Sequence, residues 1–529
     1  MWSALDRYEP RIAATVHAWR WWLVAGLLVV YLGVTGAFAH YRPLWNDELF
    51  TVYIARLPTA SDVWRFLASG VEQIPPTFHL LTRLAMRLFG EHPVTVRLPS
   101  ILAMGAMATC LYVIVSRRAS AAYGLIALLL PLLTEAHSYA YEARPYALLV
   151  AFSAASLLCW QSAAAGVRRP LALVGLALTL AAALCSHYYA ALSFLPLAAG
   201  ELSRSRQRRR IDLPIWIALA VGTSPLVVFV PLVEAGRRLA ATFWARPRWH
   251  QMAAFYQHVL APAAVPLLLV ILAVGLYALA RSSVRTLRPA PPAPPPPRHE
   301  LIAAVGYLAL PVVAVALGKL ATGAFTDRYA LPAVIGVALL VPWGAYHLLD
   351  RRATIGLLLA ALLGGWFALM VGALPVLELR RAWAERDAPY RFLATGAPGD
   401  LPVVVQSPHT FFQMTYYAPP ALAARLLYLA DPAAARRYID TDTVDLGLLE
   451  FRRWIPIHVE PYRPYLAAHH RFLLYDDRGA YGWLSKALVA DGARFDVAAL
   501  DGGRTLFLVD VGPATGPGGG ASRPRRQTP

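Results

Sequence analysis

Two adjacent acidic residues, Asp47 and Glu48, lie in the polar segment His40-Tyr-Arg-Pro-Leu-Trp-Asn-Asp-Glu-Leu49, directly after the first apolar run of membrane-spanning length. A carboxylate held just outside the hydrocarbon is suited to general-base chemistry. One interpretation is that Asp47 only caps a helix that starts at Glu48. The other, which we favour, is that Asp47 faces a cavity between spans and takes a proton from an acceptor hydroxyl. Glu48 would then orient this base or bind the acceptor.

A second candidate group lies in the segment Ser138-Tyr-Ala-Tyr-Glu-Ala-Arg-Pro-Tyr146, at the exterior junction of two predicted spans. Glu142 and Arg144 could simply pair with each other at the interface. However, an acid, a base and several tyrosines at one membrane depth suit sugar hydroxyls and a ring face. We therefore predict that Glu142, Arg144 and Tyr146 form a wall of a substrate site.

Three further exterior positions are candidate ligand contacts. His187 and Tyr188 lie at a turn between two spans, where ordinary interfacial aromatic residues are the alternative. Lys319 and the pair Arg328-Tyr329 flank two later spans. Fixed cations suit a lipid phosphate, although Lys319 could instead anchor a helix end at the interface. Arg97 is a further candidate phosphate contact.

The composition shows what kind of chain must position these residues. The 529 residues are 58% hydrophobic and 15% charged, with a mean hydropathy of +0.47, which excludes a soluble globular protein and indicates many membrane spans. The net charge is +18, and residues up to 375 carry 31 Lys/Arg against 15 Asp/Glu. We predict no nucleic-acid partner. The sequence contains no phosphate-binding loop of the Walker type, so it gives no indication of nucleotide dependence. The three cysteines fall inside predicted spans, so no metal or other cofactor is assigned.

Eleven predicted spans account for the apolar runs, at about 21–39, 97–116, 120–138, 145–164, 170–186, 188–202, 213–233, 262–280, 301–318, 329–348 and 353–375. The first run ends in a small-x-small sequence typical of a signal cleavage site, but its length favours a retained anchor. Arginine clusters recur in alternate loops, which predicts a cytoplasmic N-terminus in a bacterial-type plasma (inner) membrane. Thirteen Lys/Arg remain in the exterior loops, more than this rule predicts, which indicates an anionic ligand there.

The predicted organisation has three parts. Residues 1–375 form the transmembrane module, with a first exterior loop at 40–96 that carries two interfacial amphipathic segments, 60–69 and 77–89. A proline-rich cytoplasmic linker spans 282–300 and serves as a spacer or, alternatively, binds a proline-recognising domain. Residues 376–511 combine short strand-like and helical runs, which predicts a small exterior α/β domain. Within it, 420–429 and 483–491 are predicted helices, and residues 512–529 a disordered tail.

The motifs together resemble those of the polytopic GT-C glycosyltransferases related to family 39, which include protein O-mannosyltransferases and lipid A aminoarabinose transferases. The resemblance covers roughly residues 20–350 and rests on the order of Trp45-Asn-Asp-Glu48, Pro75-Pro-Thr-Phe-His-Leu80, Val96-Arg-Leu-Pro-Ser100, Glu142-Ala-Arg-Pro-Tyr146, His187-Tyr188 and Arg328-Tyr-Ala-Leu-Pro332. It implies a transmembrane helix bundle that transfers a sugar, with inversion, from a polyprenyl-phosphate donor to a lipid, glycan or protein hydroxyl. It also implies that Asp47 is the base and that Arg328 holds the carrier phosphate.

Two departures limit what the resemblance implies about substrates. The aminoarabinose enzymes place a lysine next to a proline where this chain has Gln73-Ile-Pro-Pro, and the tail does not resemble the β-trefoil of many protein mannosyltransferases. The donor sugar and acceptor therefore stay open. The competing class is a transporter or flippase of lipid-linked saccharides, which would place ionisable residues near the middle of the membrane; Glu135 is the main candidate of that kind. A non-catalytic membrane scaffold is the third alternative.

Overall fold

The computed structural model describes residues 2–237, 245–283, 295–397 and 399–512, and it divides near residue 384 into two compact units. The first unit is a bundle of helices, and the second is a small α/β unit around a six-stranded sheet. This is the predicted fold class. Residues 284–294 of the predicted proline-rich linker 282–300, and residues 513–529 of the predicted tail, lie outside the described residues.

The helices of the first unit are α1 Trp2–Tyr41, α2 Asn46–Arg56, α3 Ala60–Leu67, α4 Thr77–Phe89, α5 Pro93–Ser116, α6 Ala121–Leu129, α7 Tyr146–Ala164, α8 Arg169–Ser186, α9 Phe194–Arg208, α10 Leu213–Thr223, α11 Pro225–Arg237, α12 Gln251–Leu260, α13 Ala264–Ser283, α14 Arg298–Leu308, α15 Leu310–Leu317, α16 Ala333–Leu348, α17 Ala353–Trp366 and α18 Leu374–Ala384. Shorter 3₁₀ turns occupy Leu130–Leu133, Glu135–Tyr141, Tyr188–Ser193, Ala261–Ala263 and Asp327–Ala330. Two segments, Gly318–Thr322 and Phe367–Ala373, are π-helical.

The described residues include seven helices long and apolar enough to cross a membrane, or nine if each of two bent helix pairs counts as one span. Helix α16 is a shorter apolar helix. The predicted run 188–202 forms a 3₁₀ turn followed by α9, which continues into an arginine-rich end. The chain is therefore a multi-span membrane protein.

The third predicted span is bent, and the bend lies at its C-terminal end. Helix α6 passes into a 3₁₀ turn at Leu130, and the following segment Glu135–Tyr141 departs from the helix direction by 75°. Pro131 lies at the start of this break, as expected for a residue that interrupts helical hydrogen bonding. The break places the segment 142–145, which leads into α7, beside the start of α2.

Small residues let the helices of the bundle approach closely. A Cβ added at Gly336 on α16 would lie 2.6 Å from the backbone nitrogen of Leu308 and 2.7 Å from the carbonyl oxygen of Ala304, both on α14. A larger side chain there would force the helices apart. Close approach at small residues is the usual way in which membrane helices gain packing contacts.

The second unit contains strands β1 Val403–Val405, β2 Leu426–Ala430, β3 Val459–Pro461, β4 Arg471–Asp476, β5 Arg494–Asp501 and β6 Arg504–Asp510. Its helices are α19 Ala388–Gly396, α20 Pro408–Tyr417, α21 Pro420–Ala423, α22 Pro432–Ile439, α23 Thr443–Phe451, α24 Tyr462–Ala468 and α25 Leu484–Ala490. The sheet order is β3-β2-β1-β4-β6-β5. Strands β1 to β4 are parallel, whereas β6 pairs antiparallel with β4 and β5.

Two sequence predictions for this unit have different outcomes. The predicted helix over 483–491 is present as α25, Leu484–Ala490. The predicted helix over 420–429 is wrong beyond Ala423, because Leu426–Ala430 forms the buried strand β2. A short, wholly apolar strand that is buried on both faces has no alternation by which the sequence could distinguish it from a buried helix.

Candidate active site

The loop after α1 ends at the N-terminus of α2, where Glu48 rather than Asp47 caps the helix. The helix begins at Asn46, and the carboxylate of Glu48 accepts a hydrogen bond of 3.2 Å from the backbone nitrogen of Trp45. Glu48 therefore has the capping role that was the alternative interpretation for Asp47. The Asp47 carboxylate points elsewhere.

Glu48 forms a fully buried ion pair with Arg97 of α5. Both side chains have 0% exposure, and the guanidinium donates to the two carboxylate oxygens at 2.7 and 2.6 Å. Glu48 also accepts from the backbone nitrogen of Ala143 at 2.7 Å. A single carboxylate therefore joins the start of α2, helix α5 and the segment before α7. Arg97 was predicted to contact phosphate, and Glu48 to orient the base or bind the acceptor. The structure gives neither residue a surface that a ligand could touch, which leaves only the orienting role for Glu48.

Arg97 extends this junction to the end of α1 and the loop that follows it. Its guanidinium donates to the carbonyl oxygens of Ala39, Arg42 and Pro43 at 2.7, 2.7 and 3.2 Å. These are the last residues of α1 and the residues that follow it. Arg97 thus fixes the path of the chain into α2 and, through it, the position of Asp47.

Asp47 meets Arg328 across 281 residues of sequence. The Oδ2 atom of Asp47 lies 3.0 Å from Nη1 of Arg328, and the two side chains retain 19% and 15% exposure. Arg328 lies on the 3₁₀ turn Asp327–Ala330, and its guanidinium carbon is 5.2 Å from the centre of the Tyr146 ring. Burial disfavours the charged guanidinium, but Tyr146 and Asp47 together raise the pKa of Arg328 above its usual value. The site thus presents a fixed cation beside a carboxylate.

Arg144 is anchored by an acid that the sequence did not single out. Its two terminal nitrogens each lie 3.1 Å from an oxygen of Glu72, in a bidentate and buried pair. Nη1 also donates to the carbonyl oxygen of Asp47 at 3.3 Å. The alternative pairing of Arg144 with Glu142 is not the one observed. Glu72 precedes the Gln73-Ile-Pro-Pro segment, a position that comparison with the family motif could have flagged.

Glu142 is buried close to this group. Its pKa is raised to about 7, mainly by burial and next by the charge of Glu48, while Arg42 and Arg328 oppose the rise. Among the described residues, its Oε2 atom has no hydrogen-bond partner. At neutral pH this carboxyl group is therefore poised between its protonated and ionised forms.

Aromatic rings line one side of the Asp47–Arg328 pair. The His187 ring lies 5.4 Å from Tyr146 and 5.3 Å from Tyr329, measured between ring centres. Burial, followed by the nearby Arg144 and Arg328, lowers the pKa of His187 to about 3, so the imidazole is neutral. Tyr189, not predicted as a site residue, stacks on Tyr329 at 4.4 Å. Being next to Tyr188 in an aromatic turn was its only sequence signal.

Two predicted residues make their ring or cation contacts with residues outside the Asp47–Arg328 pair. The ring of Tyr188 contacts Phe229 of α11, with 6.0 Å between ring centres. Lys319 lies exposed on the π-helical segment Gly318–Thr322, with its ammonium 5.2 Å from the Trp249 ring centre. Among the described residues, neither is brought to the Asp47–Arg328 pair.

Several buried polar atoms around the pair lack a hydrogen-bond partner among the described residues. They are Trp45 Nε1, Asn46 Oδ1, Glu142 Oε2, Arg144 Nε and Thr326 Oγ1. Folded proteins leave few buried polar groups unpaired. Unpaired donors and acceptors concentrated in this way give the region behind the pair a polar interior. In the described part of the chain, no group of three His, Cys, Asp or Glu side chains is arranged to hold a metal ion.

Comparisons with known proteins agree with this architecture. The sequence model of the dolichyl-phosphate-mannose-protein mannosyltransferase family matches residues 73–233. The crystal structure of ArnT from Cupriavidus metallidurans bound to undecaprenyl phosphate is similar with a TM-score of 0.53 and 16% identity, over 92% of this chain and 98% of that one. ArnT in the apo state gives 0.52 and 13%, over 93% and 98%. No curated protein sequence matches.

These matches confirm the resemblance to GT-C glycosyltransferases that was predicted from the motifs. At such low identity, the structural likeness establishes the fold alone. The chain therefore has the GT-C fold of ArnT.

Proposed function

We propose that this protein is an integral-membrane inverting glycosyltransferase. It moves a sugar from a polyprenyl-phosphate donor to a hydroxyl group of a lipid, glycan or protein acceptor at the extracytoplasmic face. The observation that carries the proposal is the Asp47–Arg328 pair, a carboxylate and a guanidinium 3.0 Å apart in a partly open site. ArnT, which shares the fold, binds undecaprenyl phosphate, and this supports a polyprenyl-phosphate donor here.

The reaction needs one proton acceptor and one stabiliser of negative charge. Asp47 takes the proton of the acceptor hydroxyl, whose oxygen attacks the anomeric carbon of the donor from the face opposite the phosphate. The bond between that carbon and the phosphate oxygen breaks, and polyprenyl phosphate leaves with the bonding electrons. Arg328 stabilises the charge that grows on the departing phosphate. A phosphate is a good leaving group, so the step requires no general acid.

The ion pair also suggests how the base becomes available. In the absence of donor, Arg328 holds the Asp47 carboxylate and weakens it as a base. An arriving phosphate competes for the guanidinium, because phosphate and carboxylate are alternative partners for the same hydrogen-bond donors. Exchange of partners releases Asp47 toward the acceptor hydroxyl. Proton removal is then coupled to donor binding.

The remaining predicted site residues fall into two roles in this proposal. Tyr329, which is partly exposed, provides a ring face for a sugar, and the buried rings of Tyr146 and His187 support it. Glu142 is also buried and is assigned no direct contact with the sugar. Glu48, Arg97 and Arg144 position the Asp47 loop through their buried pairs. In this arrangement the N-terminus is cytoplasmic, and the second unit is extracytoplasmic.

The test is sugar transfer by the purified full-length protein in detergent, supplied with labelled polyprenyl-phosphate sugars and lipid, glycan or peptide acceptors. The informative variant is Asp47→Asn, and the matched control is Asp62→Asn, an exterior acid that caps α3. The proposal predicts transfer by the parent and the control and none by Asp47→Asn. Equal transfer by all three would remove Asp47 from the mechanism. If the protein were instead reconstituted into vesicles, movement of intact lipid-linked sugar across the bilayer without sugar transfer would identify a flippase.

A further inference from the structure

Helix α4 in the first exterior loop has one buried face and one exposed apolar face. Phe78, His79, Thr82 and Ala85 are buried, whereas Leu84, Leu88 and Phe89 are 53%, 64% and 66% exposed. Large apolar side chains exposed on one face of a short amphipathic helix are typical of a helix that lies in the membrane interface. The exposed face of α4 is therefore placed where lipid headgroups meet acyl chains.

A groove runs between this helix and the turn that precedes α3. It has a volume of about 420 Å³ and is lined by Pro58, Ala60, Leu80, Arg83, Leu84 and Arg87. The two arginines are four residues apart and so share one face of α4. Arg83 donates from Nη2 to the carbonyl oxygen of Pro58 across the groove. The groove thus combines an apolar floor with two guanidinium groups.

The positive charge of these two arginines is not neutralised within the described residues. Neighbouring exterior arginines do have acidic partners, since Arg56 pairs with Glu91 and Arg65 with Asp62. Arg83 and Arg87 have no acidic partner in the part of the chain that the structure describes. Two guanidinium groups without an acidic partner at a membrane interface attract phosphate, to which arginine can donate two parallel hydrogen bonds.

We propose that this groove, formed by Pro58, Ala60, Leu80, Arg83, Leu84 and Arg87, binds the phosphate headgroup of an anionic membrane phospholipid. The guanidinium groups contact the phosphate, and Leu80 and Leu84 contact the start of the acyl chains. Because α4 packs against α2, the bound lipid braces the helix whose first turn carries Asp47. The inference depends on interfacial placement of α4 and not on the transfer reaction, so it can fail or succeed independently of the proposed function.

The test is native mass spectrometry of the full-length protein from detergent, titrated with phosphatidylglycerol or phosphatidylcholine. The variants are Arg83→Gln/Arg87→Gln, the charge-conserving Arg83→Lys/Arg87→Lys, and Arg65→Gln as the control, which removes an exposed exterior arginine already paired with Asp62. We expect the double glutamine variant to bind phosphatidylglycerol about thirtyfold more weakly, as about 1 kcal/mol for each of the two basic residues implies. The lysine variant should keep part of this affinity, and the control should bind like the parent.

Other outcomes would overturn the proposal. Equal retention of phosphatidylglycerol by the parent and the double glutamine variant would exclude the groove as the binding site. Equal retention of the two lipids by the parent would exclude recognition of the anionic headgroup. Displacement of the lipid by millimolar inorganic phosphate would identify a site for soluble anions. Matching melting temperatures of the parent and the variants serve as the control for folding.

Discussion

Removal of Arg97 should destabilise the protein far more than removal of an exposed arginine. The Arg97→Met variant leaves the Glu48 carboxylate buried with only the backbone nitrogens of Trp45 and Ala143 as donors. It also removes the donor to three carbonyl oxygens at the end of α1 and in the loop that follows it. Loss of one partner of a buried ion pair costs about 3 to 5 kcal/mol, because the remaining charge is uncompensated.

A second variant separates the charge effect from the loss of packing. In Glu48→Gln/Arg97→Met, no buried charge is left unpaired, so the double variant should be more stable than Arg97→Met alone. A recovery of about 1 to 3 kcal/mol is expected from the coupling of two residues in direct contact. The matched control is Arg65→Gln, whose salt bridge is exposed and contributes about 1 kcal/mol or less.

The assay is unfolding of the purified protein in mixed micelles by titration with a denaturing detergent, followed by intrinsic fluorescence. Stability of Arg97→Met equal to that of the parent would refute the assignment of this pair as the junction of the loop. The assignment would also be refuted if the double variant lost more unfolding free energy than the two single variants lose in sum. If Arg97 and Glu48 instead contacted substrate, their variants would lose donor binding and keep the stability of the parent.

Three other predictions address separate parts of the molecule. Arg328→Gln should reduce turnover in the sugar-transfer assay about 10²- to 10³-fold, as loss of one donor to a developing oxyanion does, whereas an unchanged turnover would exclude Arg328 as the phosphate contact. In the second unit, burial raises the pKa of Asp445 from 3.8 to about 7. Because the pKa is higher in the folded state, the contribution of Asp445 to stability is fully present below about pH 4. It is lost as the pH rises through about 7. Asp445→Asn should flatten this slope in thermal melting of the full chain, and an identical slope in both proteins would contradict the assignment. The carboxylate of Glu300 accepts hydrogen bonds from Arg118 at 3.1 and 3.0 Å and from Gln161 at 3.0 Å. Glu300→Gln should therefore destabilise the bundle by about 1 to 3 kcal/mol in the micelle unfolding assay. Unchanged stability would show that these contacts are dispensable.

The sequence was sufficient to predict the helix bundle and to assign Asp47 and Arg328 to one reaction, but not to predict their direct contact. Hydrophobic runs of membrane length and the order of the motifs gave the fold class, and the resemblance put both residues in one site. The distance of 281 residues between them is bridged by the fold, which no local pattern could have indicated. Only the order of the family motifs indicated that these two residues belong to one site.

Buried pairing was not predictable in the same way. Glu48 and Arg97 were expected to face substrate, but the helix cap at Trp45 and the convergence of three carbonyl oxygens on Arg97 enclose them. Glu72 was missed because its bidentate contact with Arg144 depends on tertiary packing. Whether a charged residue at an exterior junction points inward or outward depends on the packing around it, which spacing does not encode.

The most direct test of the proposed reaction is the anomeric configuration of the product, together with the amount of polyprenyl phosphate released. A donor of defined configuration is incubated with the purified protein, and the product is analysed by nuclear magnetic resonance and the lipid by mass spectrometry. The proposal predicts an inverted glycosidic bond and one polyprenyl phosphate released for each sugar transferred. A product with retained configuration, or sugar transfer without release of polyprenyl phosphate, would contradict direct displacement assisted by Asp47 and Arg328.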